Sequence, residues 1–231
     1  MLSQIALNLT YKIINIMKKI DFVLCALFFS LIIAATPSDA YEKAMKSAID
    51  KVFQAETLEQ YQAASNTFDR IAEKETKAWH PRYYSAYAHI IMSTLVQEPT
   101  AKDEMLDQAM ERLLAADELS PGNSELLTLE GFVHMMRVVV DPGSRGAEYS
   151  GRSIGAFQKA VAMDNNNPRA LMLLSNMQIG TAQFFGSDNS EGCATLAKAI
   201  KMFENAGTPD NPLDPTWGKE MALGNQQSSC K

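Results

Sequence analysis

The chain has 231 residues, 46% of them hydrophobic and 21% charged, with a formal net charge of −6 and a pI near 5.2. That hydrophobic share excludes wholesale disorder. The acidic balance argues against a nucleic-acid binder, which needs a basic face. Three cysteines are too few for a disulfide-built scaffold.

The first forty residues differ from the rest. Met17-Lys18-Lys19 brings positive charge, Phe22 to Ala35 is a 14-residue apolar run, and Ser38-Asp39-Ala40 sets small residues at −3 and −1 to a cut before Tyr41. Charged start, apolar middle and small exit make a secretory signal, so residues 1–40 are expected to be removed on export to the periplasm or outside. The run is about 21 Å long as a helix, short of a bilayer core of about 30 Å. Met17 is an alternative start, and a retained, uncleaved anchor is the other reading of the segment. The segment holds three Lys and two acids, so 21 basic and 27 acidic residues become 18 and 25, net −7. Cys25 leaves with it. Cys193 and Cys230 remain, as a disulfide across about 37 residues or as two free thiols.

From Tyr41 on, the hydrophobic period is helical. The stripes are Met45-Ala48-Ile49-Val52-Phe53, Tyr61-Ala64-Phe68-Ile71, Tyr83-Ala86-Tyr87-Ile90-Ile91 and Met105-Ala109-Leu113-Ala116, then Leu126-Leu127-Gly131-Val133-Val138, Ile154-Phe157-Ala160-Val161, Leu171-Leu174-Met177-Phe184 and Leu196-Ala199-Ile200-Phe203. Pro99-Thr100, Pro121-Gly122-Asn123, Asp141-Pro142-Gly143 and Asn165-Asn166-Asn167-Pro168 punctuate them, with Thr100, Asn123 and Ser190 as expected N-caps. Residues 141–152, with Gly143, Gly146 and Gly151, read as a long connection. Pro209, Pro212 and Pro215 then break the helical pattern, and Trp217 opens a short helix to about Leu223. This last segment, 207–231, is expected to cap the open end, with Trp217 as a lid on the final hairpin.

Two stretches repeat one device. In 113–131 and 157–175 a large apolar residue is followed by Ala three positions on, an acid, a Pro/Asn turn and a new helix with a small residue in it (Gly131, Ser175). The small residue is where the partner helix crosses. The pattern resembles the tetratricopeptide repeat, over most of 41–206. Its anchors Ala64, Ala109, Ser153 and Gly192 stand 45, 44 and 39 residues apart, against about 34 for the family. The segments 141–151, 165–186 and 211–222 resemble a group of exported tetratricopeptide-like proteins of Gram-negative bacteria. The fold implied is all-α: eight or nine helices as antiparallel hairpins in a solenoid-like array.

No chemistry stands out. His80, His89 and His134 are dispersed, and no HExxH, CxxC, EF-hand, GxSxG, GxGxxG or P-loop pattern occurs. A metal, a cofactor and catalysis are therefore not expected. The densest constellation is Arg137, Arg145, Tyr149, Arg152 and Arg169, with four arginines inside 33 positions. Arginine forks bind carboxylate or phosphate, so the cluster reads as an anion site or as ties within the fold. The resemblance implies a binding groove on the first helix of each pair, with Tyr83, Tyr87, Phe132, Met136, Arg169 and Asn176 as its contacts. Two functions follow as expectations. One is an exported, non-catalytic adaptor that grips a protein segment in that groove; the other is a small-ligand carrier that uses the Arg/Tyr cluster at 137–169. Neither needs nucleic acid or membrane insertion once the signal is cut.

Overall fold

A computed structural model describes residues 39–230. The signal-segment expectation lies outside them, except that Asp39 and Ala40 begin the first helix. Nine helices make up the described residues: α1 Asp39–Gln54, α2 Leu58–Lys74, α3 His80–Leu95, α4 Pro99–Asp117, α5 Ser124–Val140, α6 Pro142–Met163, α7 Pro168–Phe185, α8 Ser190–Asn205 and α9 Lys219–Ser229. The all-α array of helix pairs expected from the period is what the chain forms.

Each helix packs against the next, and the odd helices also touch one another in order: α1–α3, α3–α5, α5–α7 and α7–α9. No two even helices do so among the described residues. The odd helices thus form one layer and the even helices a second. Connectors of one to six residues between α1 and α8 leave room only for antiparallel neighbours. The odd helices therefore run in one direction, with their N-termini along one edge.

Local signals start and stop the helices. Thr57 and Gln60 form a reciprocal capping box on α2. The Asn123 side chain accepts from the Glu125 backbone N–H, and that of Asn167 from both Arg169 and Ala170. Two expected caps move. Helix α4 begins at Pro99 with no side-chain cap, and at α8 it is Asp188 that accepts from the Ser190 N–H. The stretch 141–152 is not a long connection. It forms the first turns of α6, because Asp141 caps the Ser144 N–H and Pro142 fits a first helical turn.

The small-against-large device works as expected at Gly131. A Cβ there would lie 2.5 Å from Phe157 Cε1, and Ser153 Oγ donates to the Gly131 carbonyl at 2.9 Å. At the far end Cys193 and Cys230 are bonded, which fastens the end of α9 to the start of α8. Helix α9 starts at Lys219 rather than Trp217 and runs on to Ser229. Gly218, at φ 112°, turns the chain first, and a Cβ there would meet Phe203 Cζ at 2.8 Å.

Candidate functional site

The 206–218 connector between α8 and α9 is more than twice as long as any other in the array. It leaves the end of the array and reaches back over the N-terminal edge of the odd layer. Leu213, Pro215 and Trp217 point inward and are buried, while Pro212 and Thr216 point out. Asn211 to Asp214 make a turn, with the Asp214 N–H donating to the Asn211 carbonyl at 3.0 Å, and the chain then runs on to Gly218.

The segment lands on α3 and α5. The Leu213 carbonyl accepts from the Tyr84 hydroxyl at 2.9 Å, and Asp214 Oδ1 lies 2.9 Å from His80 Nε2. The Trp217 indole N–H donates to the Tyr83 hydroxyl at 2.8 Å. Its ring sits between Tyr87, with centroids 5.1 Å apart, and Phe132, at 6.3 Å and an interplanar angle of 26°. Trp217 is therefore not a lid on the final hairpin. It reaches past α7 because the slot between Tyr87 and Phe132 fits a flat ring and the Tyr83 oxygen satisfies its one polar atom.

Below the slot, Arg169 on α7 meets Glu125 on α5. Nη2 lies 2.7 Å from Oε1 and Nε lies 2.9 Å from Oε2, with the side chains 12% and 15% exposed. The Tyr83 hydroxyl donates to Glu125 Oε2 at 3.2 Å, and Arg169 Nη1 reaches the Trp217 carbonyl at 3.4 Å. One polar chain thus links α3, α5, α7 and the connector. Burial pulls the Arg169 pKa down, but the Glu125 charge and hydrogen bonds outweigh it and hold it raised. Burial pushes the Tyr83, Tyr84 and Tyr87 hydroxyls well up, so all three stay protonated.

The arginine cluster divides. Arg145 forks onto Asp103, with Nη1–Oδ1 2.7 Å and Nη2–Oδ2 2.8 Å. Arg137 bridges Asp103 at 3.3 Å and Asp107. Arg152 pairs with Glu148 one turn away, and both Arg137 and Arg152 lie over the Tyr149 ring, at 5.8 and 5.4 Å. The Arg145 hydrogen bond holds the Asp103 carboxyl below its ordinary range. Arg169 belongs to the other edge: its partner Glu125 precedes Arg137 on α5 by 12 residues, about 18 Å of helix. The expectation of one anion patch across 137–169 is corrected accordingly. The forks of Arg145 and Arg169 are filled by carboxylates of the fold, and the two groups stand at opposite ends of α5.

The groove residues fare differently. Tyr83, Tyr87, Phe132 and Arg169 do converge, under the chain's own connector. Met136 is part-buried against the core. Asn176 accepts from Asn225 Nδ2 at 2.9 Å, so its amide is engaged by α9. Tyr84 and Trp217 complete the slot and were not among the expected contacts. The two-residue spacing of Leu213, Pro215 and Trp217 was the signal that could have found the inward face of the connector. Separately, a cavity of about 220 Å³ opens among Met110, Leu114, Leu127 and Met163, and none of the expected contacts line it.

No family model matches this sequence, and no curated protein matches it. The fold is similar to that of the HusA haemophore from Porphyromonas gingivalis, with a TM-score of 0.69 and 23% identity over 83% of this chain and 92% of that one. At that identity the likeness shows the fold. No described helix is long and apolar enough to cross a membrane.

Proposed function

We propose that this chain is an exported, non-catalytic carrier of tetratricopeptide-like architecture that holds a flat aromatic ligand of the porphyrin class against α3 and α5. The observation that carries the reading is the slot between Tyr87 and Phe132. It is filled by the chain's own indole, a flat ring that lies against Tyr87 and Phe132 with its N–H on the Tyr83 hydroxyl. The structural likeness to a haemophore supports it. The signal-like start and a disulfide suited to an oxidising compartment support export, with maturation before Tyr41.

The test is an absorbance titration of the purified chain with haemin. A saturable one-to-one change, weakened about tenfold or more by Phe132→Ala, supports the carrier. A linear, unsaturable response contradicts it.

The adaptor reading keeps one observation in its favour. The odd layer does hold a non-helical segment, Asn211 to Trp217, through the buried side chains of Leu213, Pro215 and Trp217. A synthetic peptide of that sequence that binds the chain while haemin does not would favour the adaptor.

A further inference from the structure

We propose that residues 206–218 are a displaceable strap, and that Trp217 holds the place that the ligand takes. The inference rests on the carrier reading and adds the location of the site and the residue that gates it.

Three observations carry it. First, the connector is far longer than two packed helices need. A span of that length without structure of its own is uncommon in compact folds and is often a functional loop. Second, the strap is fixed at both ends by contacts apart from those of its middle, whose Leu213 and Trp217 pack into the core. Helix α8 enters it, Gly218 turns against Phe203, and the Cys193–Cys230 bond holds α9 on α8. Displacement of the middle exposes Leu213 and Trp217 but leaves the contacts that hold α9 on α8 in place. Third, the grip on α3 and α5 is local. It consists of the Leu213, Pro215 and Trp217 side chains, with hydrogen bonds from Tyr84 to the Leu213 carbonyl and from Trp217 to Tyr83, and the contacts of Asp214 and Asn211 with His80; Arg169 on α7 adds a bond to the Trp217 carbonyl.

Lifting the strap empties the space of three apolar side chains over Tyr84, Tyr87 and Phe132. It also takes the Leu213 carbonyl from the Tyr84 hydroxyl and the indole N–H from that of Tyr83, which keeps its bond to Glu125. A flat aromatic ring replaces the contacts that the Trp217 ring makes with Tyr87 and Phe132, which an aliphatic ligand does not. Closure by the strap lowers apparent affinity by the fraction of time the slot is open. A strap closed about nine-tenths of the time weakens binding about tenfold.

The experiment uses the oxidised full chain with haemin as the probe. Amide hydrogen exchange is followed across 206–218, and haemin affinity is compared for wild type, Trp217→Ala and Trp217→Phe. The phenylalanine variant keeps most of the apolar fill and removes the N–H to Tyr83, so it guards against loss of fold, and circular dichroism checks both. The expected result is faster exchange in the strap on haemin saturation, with affinity about tenfold tighter in Trp217→Ala and a smaller gain in Trp217→Phe. Saturable haemin binding with unchanged strap exchange and equal affinities overturns the strap and leaves the carrier reading intact. No haemin binding by any of the three overturns both.

Discussion

Arg169 and Glu125 face each other as a fork on a carboxylate, joining α7 to α5 beneath the Trp217 ring. Neither side chain is more than 15% exposed, so each charge depends on the other for solvation. Arg169→Met or Glu125→Gln alone is expected to cost about 3–5 kcal/mol, because the remaining group is left buried and unpaired. The double variant is expected to cost clearly less than the sum of the two. Urea unfolding of the four proteins measures this. Additive losses would show that the two groups act separately.

The bond between Cys193 and Cys230 closes a 37-residue span that contains the whole strap and α9. On the chain-entropy relation such a closure contributes about 3–4 kcal/mol. Reduction, or the Cys193→Ser/Cys230→Ser pair, is expected to lower unfolding free energy by roughly that amount. Equal midpoints with and without reductant would contradict this.

Stability should fall on mild acidification. Burial lowers the pKa of His80, which contacts Asp214 and stacks on Trp79, and that of His89, which lies among Ser85, Gln108, Arg112 and Asp69. The fold favours the neutral imidazoles, so the unfolded chain takes up protons first, from about pH 6.5 downward. Stability is full above that value and declines as pH drops through it toward the lower folded-state values. The slope is at most about 1.4 kcal/mol per pH unit for each histidine. Asp103, held low by Arg145, adds its loss only below its own ordinary range near 3.8. Urea midpoints from pH 7.5 to 5 are expected to fall for wild type and to fall less steeply in His89→Gln, where His80 alone remains. A flat wild-type profile would contradict the burial argument.

Gly131→Ala puts a methyl 2.5 Å from the Phe157 ring. Overpacking costs about 1–3 kcal/mol, and the better helix propensity of Ala returns up to about 1. A net loss of about 1–2 kcal/mol is expected in thermal or urea unfolding, and a stabilised variant would mean that Phe157 has room to move.

The helix layer was legible because it rests on periodicity. Met45, Val52, Phe68 and Leu113 recur at helical spacing and are buried where that spacing puts them. Segment 141–152 misled because its glycines suggest a loop, whereas Asp141 and Pro142 start a helix that tertiary packing then holds. Tyr83, Tyr87, Phe132 and Arg169 were legible as a shared face. What covers them was not, since contact between Trp217 and Tyr83 joins positions 134 apart and no local pattern encodes it. Arg169 gathers with Arg137, Arg145 and Arg152 in sequence but not in space, because α5 alone carries the chain about 18 Å from Glu125 to Arg137.

The chain has two tryptophans, Trp79 and Trp217, which allows the slot to be watched directly. The decisive measurement is ¹⁹F NMR of the 5-fluorotryptophan-labelled chain titrated with metal-free protoporphyrin, which is diamagnetic, with assignment by Trp79→Phe. The expected result is saturable movement of the Trp217 resonance to a solvent-exposed position, with a smaller shift at the part-buried Trp79. A Trp217 resonance that stays in place while the porphyrin binds elsewhere, or that never responds because nothing binds, would contradict a ligand site between Tyr87 and Phe132.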